Sequence, residues 1–236
     1  MLKIISRLIR SSVWAARRFY VSAIENLPCG QKKFDWKKDR IKRAAIINIL
    51  IEHNGYKNYL EIGCFDDINF NRVLAPHKVG VDPVAGGTHR MTSDEFFKIN
   101  KEKFDIIFID GLHLYGQVRK DFYNALGVLS KGGAIVLHDM LPASWEQERV
   151  PRLSRLWNGT VWKIAYEAKR LFGDKFGVIS ADEGVGVVFN DLDVIVEMLE
   201  SSEVKNYSDF LKDYQKFNIV PAEQVELFLK ARRYSN

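Results

Sequence analysis

FDIIFIDGLH at residues 104–113 and GGAIVLHD at residues 132–139 decide the fold of this chain. Each contains a mainly apolar run of strand length, and an acid follows closely after the run, Asp110 in the first stretch and Asp139 in the second. Strands that are apolar throughout are typical of a parallel sheet that is covered by helices on both faces. The same pattern predicts six strands, over residues 58–63, 79–82, 104–109, 133–138, 176–180 and 185–190.

Helical spacing of apolar residues between these runs predicts an α/β chain. The predicted helices cover residues 36–53, 68–75, 93–100, 115–130, 160–171, 192–200, 206–215 and 222–233. Only ADEG at 181–184 separates the last two strands, so we expect a tight turn and an antiparallel hairpin there. A Pro, a Gly and several charges around residues 25–35 predict a boundary between an N-terminal extension, 1–35, and one domain, 36–236.

The charge of the chain is unevenly distributed. The net charge is +5, but residues 1–43 contain twelve Lys or Arg and three acids, which makes that segment +9. The remaining residues contain 23 basic and 27 acidic side chains and are mildly acidic. A protein that grips nucleic acid needs a basic surface near its working site. The distribution therefore argues against nucleic acid as a partner.

Residues 1–24 have apolar side chains at helical spacing, a second stripe of Lys and Arg, and no acid. We expect a basic amphipathic helix outside the catalytic fold, for which three interpretations stay open. The helix packs on its own domain or on a second copy of the chain, it lies on an anionic membrane surface, or it is a transit peptide. No run of 18 apolar residues occurs, so we expect no membrane span. Cys29 and Cys64 form no CxxC motif, which favours a reducing cytoplasm.

Acids and a glycine follow four successive strands. Glu61 and Gly63 end the first strand, Asp82 ends the second, and Asp110 and Asp139 end the next two. Ligands of open α/β sheets bind outside the carboxyl ends of the strands. A GxGxxG motif is absent, which argues against a dinucleotide. The sequence therefore predicts a small-molecule site of another kind at this edge.

The series EIG, VD, FDIIFIDGLH and GGAIVLHD resembles class I S-adenosylmethionine-dependent methyltransferases over residues 57–190. The stretches MTSDEFF, LWNGTVWK and ADEGVGVVF also resemble a methyltransferase family that is associated with glycan synthesis. The resemblance implies a Rossmann-like sheet of seven strands, mostly parallel, with the last strand antiparallel. It also implies that a short additional strand lies near residues 88–91.

The resemblance implies a donor site for S-adenosylmethionine. Gly63 lets the main chain approach the donor, with Glu61 beneath that loop, and Asp82 accepts from the ribose hydroxyls. The remaining positions that match donor contacts are Ser93, Asp94 and Asp110. A turn or capping role for Asp82 before Pro83 is the alternative.

The resemblance extends to catechol and macrolide-sugar O-methyltransferases, which bind a divalent cation. Asp110 and Asp139 match two metal ligands, but Met140 stands at the third position and is no ligand for a hard cation such as Mg²⁺. His113 matches the general base, because an alcohol is a poor nucleophile until it loses its proton. The alternative is that the two aspartates are rim acids and that His113 bonds the backbone.

These residues predict transfer of a methyl group to a hydroxyl of a small acceptor, with a sugar or glycan-related molecule as the leading substrate. A donor-binding partner protein without turnover is the alternative, and Met140 and the glycine-poor donor loop favour it. The connection at 141–162 is either a partly helical surface segment whose aromatic residues pack on the sheet or a lid, in which Trp145, Arg149 and Arg152 close over a substrate. Its arginines would bind a carboxylate or phosphate.

Overall fold

The computed structural model describes residues 41–190 and 205–231, together with Ser12, Val13 and Ala16. These three isolated residues have helical backbones, but the rest of the predicted N-terminal helix lies outside the described residues. The predicted helix at 192–200 also lies outside them. No helix among the described residues is long and apolar enough to cross a membrane.

Eight α-helices and seven strands make up the described chain from residue 41 onwards. In chain order they are α1 Arg43–Asn54, β1 Asn58–Ile62, α2 Ile68–Arg72, β2 His77–Val81, α3 Ser93–Ile99, β3 Phe104–Ile109, α4 Tyr115–Val128, β4 Leu129–Leu137, α5 Trp145–Glu148, α6 Ile164–Phe172, β5 Phe176–Ile179, β6 Val185–Asn190, α7 Tyr207–Asp213, β7 Ile219–Val220 and α8 Val225–Ala231.

All seven strands join one sheet, in the order β2-β1-β3-β4-β6-β5-β7. β6 runs antiparallel to both of its neighbours, and the other six strands are parallel to one another. The predicted α/β class, the mostly parallel sheet and the hairpin at 181–184 are confirmed.

Two details of the strand assignment differ from prediction. Residues 88–91 form no strand, and only a single bridge joins His89 to Val81. The seventh strand is instead β7, whose two residues pair with the outer edge of β5. The antiparallel strand is therefore the sixth in the chain, since β7 follows it. A bridge one residue long and a strand of two residues carry almost no hydrophobic pattern in the sequence.

The core lies on both faces of the sheet, because alternate residues of a strand point to opposite sides. In β3, Ile107 and Ile109 pack in the cluster that contains α4 and Trp162. Ile106 and Phe108 pack in the cluster that contains the apolar side of α1. Gly55 adopts a left-handed conformation, φ 67°, and ends α1.

Candidate active site

The loops at the carboxyl edge of the sheet border a cleft of about 1110 Å³. It is lined by the loops that follow β1, β2, β3 and β4, by the start of α1, and by parts of segments 152–157 and 182–183. All six predicted donor residues and all three predicted catalytic residues line it. The convergence that the strand-end pattern predicted is therefore present in the structure.

Position 63 requires a glycine because the chain after β1 lies against the chain after β3. The φ of Gly63 is +94°, and a Cβ at this position would lie 2.2 Å from the carbonyl oxygen of Asp110. Its amide donates to the carbonyl of Val81 at 2.9 Å. The absence of a side chain thus lets the loops after β1 and β3 come together, and a close approach to the donor remains a prediction.

Asp82 is engaged in the turn that follows β2. Its Oδ1 accepts from the amides of Val84 and Ala85 at 2.7 and 2.9 Å, and its Oδ2 accepts from the amide of Phe65 at 2.9 Å. The turn role that the sequence left open is therefore present. Each carboxylate oxygen has two acceptor positions, so Oδ2 keeps one position for a ligand hydroxyl.

Glu61 is almost fully buried beneath the first loop, as the resemblance implied. The hydroxyl of Tyr59 donates to its Oε2 at 2.5 Å, and the amide of Asn69 donates to the same atom at 3.0 Å. Burial raises the pKa of Glu61 to about 7, although both hydrogen bonds favour the ionised form. A buried acid that titrates near neutral pH is therefore part of the cleft.

Ser93 and Asp94 begin α3, which Thr92 caps through a hydrogen bond from the amide of Glu95. Gln117 of α4 donates to Asp94 Oδ1 at 2.9 Å and to Ser93 Oγ at 3.3 Å. This contact holds the first turn of α3 beside α4 at the edge of the cleft.

Asp110, His113 and Asp139 come together as predicted. His113 Nε2 lies 3.5 Å from Asp110 Oδ1, and His113 Nδ1 lies 3.2 Å from Asp139 Oδ2. One ligand atom from each of the three lies within 4.8 Å of the others. Burial alone would lower the pKa of His113, but the two carboxylates outweigh burial and raise it. Met140 is fully buried and belongs to the hydrophobic core cluster that contains Trp162.

A clamp formed by residues 157–160, Trp-Asn-Gly-Thr, holds His113 in place. The Trp157 ring stacks on the imidazole, with centroids 5.2 Å apart and an interplanar angle of 20°. The Trp157 carbonyl lies 2.8 Å from His113 Nδ1, and the Thr160 amide donates to the His113 carbonyl at 3.1 Å. Both the ring and the main chain of His113 are thus fixed by this segment.

Two other members of the clamp act on the same site. Asn158 is fully buried and donates from Nδ2 to Asp139 Oδ1 at 2.9 Å, which leaves Asp139 Oδ2 directed at His113. Gly159 has φ +59°, and a Cβ there would lie 1.9 Å from the His113 carbonyl oxygen. Sequence reasoning singled out LWNGTVWK only as a resemblance, because a contact across 44 residues leaves no local pattern.

Arg43 and Asp182, which the sequence analysis did not single out, also belong to this site, together with the buried His138. Arg43 Nη1 lies 2.5 Å from Asp110 Oδ2, and Arg43 Nε lies 2.9 Å from Asp182 Oδ2. His138 is buried, and its ring nitrogens lie 3.3 to 3.8 Å from Asp110, Asp139 and Asp182. Burial alone would lower the pKa of His138, but the neighbouring carboxylates raise it well above its ordinary value. His138 is thus a buried counter-ion to the acids.

The connection at 141–162 contributes part of the wall of the cleft. Arg152 lines the cleft, and its guanidinium lies 5.8 Å from the Trp157 ring centroid. Trp145 and Arg149 are not among the residues that line the cleft in the described chain. Trp157 Nε1 donates to the Arg149 carbonyl at 2.7 Å, so the main chain of Arg149 positions the tryptophan.

Residues 45–140 match the family model that is described as a methyltransferase domain. The match runs from α1 through β4 and includes the loops after the first three strands, together with Asp139. The matched stretch is 96 of the chain's 236 residues, so it is this central part of the chain that is similar to a methyltransferase domain. No curated protein matches the chain at a significant level.

Solved methyltransferase structures are similar to this chain at low identity. The O-methyltransferase of Bacillus cereus in complex with S-adenosylhomocysteine is 16% identical, with coverage of 76% of this chain and 99% of that one, at a TM-score of 0.45. The O-methyltransferase TomG of Streptomyces achromogenes, involved in tomaymycin synthesis, is 14% identical over 63% and 79%, at 0.47. The MycE methyltransferase of mycinamycin biosynthesis, in complex with Mg and S-adenosylhomocysteine, is 16% identical over 64% and 50%, at 0.42.

We expect Glu61→Gln to reduce the pH dependence of stability. The pKa of Glu61 is raised in the folded state, so its ionisation destabilises the fold as pH rises from about 4.5 to about 7. A shift of this size corresponds to about 3 kcal/mol. Urea denaturation at pH 5 and pH 8 should show a smaller loss of unfolding free energy in Glu61→Gln than in wild type. The exposed Glu226→Gln is the control, and equal losses in all three proteins would contradict the assignment.

We expect Gly159→Ala to disturb the clamp. The added methyl group would collide with the carbonyl of His113, and the left-handed backbone of residue 159 disfavours any side chain. The variant should therefore lose at least about 1 kcal/mol of unfolding free energy. Gly127→Ala is the matched control, since Gly127 is helical, exposed, and has nothing within 4 Å of its added Cβ. Gly127→Ala should be neutral or slightly stabilising. Equal denaturation midpoints for the two variants would show that the clamp tolerates a side chain.

Proposed function

We propose that this chain is an S-adenosylmethionine-dependent methyltransferase that transfers the methyl group to a hydroxyl of a small acceptor, with a sugar or glycan-related molecule as the leading candidate. The enzyme class rests on the family match and the fold. The choice of oxygen as the methylated atom rests on His113 and its surroundings.

The orientation of the His113 ring is the observation that carries this proposal. Its Nδ1 lies 2.8 Å from the main-chain carbonyl of Trp157, and a carbonyl can only accept a hydrogen bond. The neutral ring therefore has its proton on Nδ1, and the lone pair is on Nε2. Nε2 can accept a proton from an acceptor hydroxyl, which is the role of a general base.

The reaction follows from this arrangement. The acceptor hydroxyl gives its proton to His113 Nε2 as its oxygen attacks the methyl carbon of the sulfonium. The carbon–sulfur bond breaks, its electron pair stays on sulfur, and S-adenosylhomocysteine leaves. Asp110 and Asp139 flank the imidazole and stabilise the imidazolium that forms, because opposite charges within a few ångströms favour the protonated ring.

The donor set also fits a divalent cation such as Mg²⁺. Arg43 occupies Asp110 Oδ2 and Asn158 occupies Asp139 Oδ1, whereas Asp110 Oδ1 and Asp139 Oδ2 both face His113. These two oxygens would hold the cation. Because Met140 stands at the position of the third ligand and cannot bind a hard cation, waters or the acceptor would complete the coordination. A bound cation supplies Lewis-acid help by lowering the pKa of an acceptor hydroxyl.

The acceptor end of the cleft favours a polyhydroxy molecule. Glu183 lines it, and its Oε2 is buried without a hydrogen-bond partner among the described residues. Such an oxygen is satisfied by a hydroxyl donor. Arg152 and Arg155 line the same cleft and would suit a carboxylate or phosphate on the acceptor. The proposed acceptor is therefore a sugar, and an acidic sugar in particular.

We expect His113→Ala to lower kcat by roughly 10²–10⁴, because the base acts only as the new bond forms. Its affinity for S-adenosylhomocysteine should stay within about threefold of wild type. His77→Ala is the control, since His77 is exposed and pairs with Glu102 at the opposite end of β2. A panel of neutral and acidic sugars, followed by mass spectrometry for a gain of one methyl group, supplies the acceptor. Wild-type turnover by His113→Ala would contradict its role as the base.

We expect Mn²⁺, as a paramagnetic probe, to bind the wild-type protein and to lose its site in Asp139→Ala. Electron paramagnetic resonance measures free Mn²⁺ without any need for an acceptor. Asp209→Ala is the control, because Asp209 caps α7 away from the cleft. Equal binding by wild type and Asp139→Ala would show that the two aspartates serve the acceptor without a metal.

A further inference from the structure

An apolar groove of about 480 Å³ runs between α1 and the segment that contains α8, and it shares no lining residue with the cleft. Ile41, Ile49 and Ala222 form its partly buried floor, because they also pack against the core cluster on this face of the sheet. Leu227 of α8 stands at its side and is 70% exposed. Apolar grooves on the surface of a folded domain mark interaction sites.

The chain enters the α/β domain at one end of this groove. Ile41 lines the groove, and residues 17–40, which precede it, lie outside the described residues. Lys42 has an extended backbone, with φ −122° and ψ 161°, so α1 begins at Arg43 and does not continue back through residues 41 and 42. The segment before Ile41 is therefore tethered directly to the groove.

The tethered segment contains the side chains that an apolar groove binds. Residues 31–40, QKKFDWKKDR, include two aromatic residues, Phe34 and Trp36, among five basic and two acidic ones. Each aromatic side chain removes roughly 150–250 Å² from water when it is buried. Phe34 and Trp36 would thus gain most from covering the groove.

The charge of the groove is opposite in sign to that of the segment. Glu223 and Glu226 lie at its rim with one base, Lys230, which lies 3.1 Å from Glu226. The rim is therefore negative, whereas residues 31–40 carry more basic than acidic side chains. Opposite charges at the rim of an apolar contact favour the correct partner.

Trp36 can reach the whole groove. Five residues separate it from Ile41, and five extended residues span at most about 18 Å. From Arg43 to Ile49, α1 rises only about 9 Å. A tether this short gives the segment an effective concentration in roughly the millimolar range, so it outcompetes the same segment of a second copy.

We propose that the groove between α1 and α8 binds Trp36 and Phe34 of the same chain and thereby anchors the basic N-terminal extension on its own domain. Of the three interpretations of that extension, this selects packing on its own domain over a membrane surface and over a transit peptide. Docking would also hold the start of α1, where Arg43 bonds Asp110 and Asp182. The anchor and the acidic cluster would thus share one helix.

Fluorine NMR of the full chain labelled with 5-fluorotryptophan tests the proposal. The five tryptophans give five resonances, and Trp36→Phe identifies the resonance of Trp36. Its shift between H₂O and D₂O measures exposure, and in wild type it should be less than about half that of free 5-fluorotryptophan. Leu227→Asp places a charge in the groove and should raise this shift about twofold or more. Leu74→Asp is the control, because Leu74 is 74% exposed and does not line the groove.

Each other occupant of the groove gives a different result. An exposed Trp36 in wild type, or a resonance that Leu227→Asp leaves unchanged, would overturn the proposal. Exposure of Trp36 when a dimer dissociates on dilution would assign the groove to a second copy and overturn docking within one chain. Burial of Trp36 only after addition of phosphatidylglycerol vesicles would equally overturn it in favour of a membrane. If Leu227→Asp does not fold, Leu227→Ala takes its place under the same criteria.

Discussion

Three carboxylates, Asp110, Asp139 and Asp182, meet at the carboxyl edge of the sheet, and they can be buried together only because cations lie among them. Arg43 bonds Asp110 and Asp182 at 2.5 and 2.9 Å, and His138 lies 3.3 to 3.8 Å from all three acids. Burying a charge without a partner costs several kcal/mol, so the acids and the cations depend on one another. This network ties the start of α1 and the 181–184 turn to the ends of β3 and β4.

The position of His113 follows from that network and from the 157–160 clamp. Asp139 is held from one side by Asn158, and its other oxygen is directed at the imidazole. The Trp157 carbonyl lies 2.8 Å from Nδ1, which favours the proton on that nitrogen and leaves Nε2 as the proposed accepting nitrogen. Chemistry at this site is thus determined by two segments that are far apart in the sequence. We expect a change in either segment to act on His113, the proposed base.

The sequence allowed prediction of what depends on local pattern. Apolar runs that end in Asp110 and Asp139 defined the central strands, and the parallel arrangement then brought both acids to one edge with His113. Long-range partners left no such pattern. In the sequence, Arg43 is one of twelve basic residues in a charged segment, and nothing nearby indicates that it pairs with Asp182, 139 residues away.

The central claim is that the donor's sulfur lies between the Gly63 loop and His113, with its base at the Ser93 end of the cleft. A crystal structure of the protein with S-adenosylhomocysteine tests this directly. The account predicts the homocysteine beside Gly63, the sulfur facing His113 Nε2, and the adenine beside Ser93 and Asp94. A complex with the nucleoside in the opposite orientation, or bound outside this cleft, would contradict it.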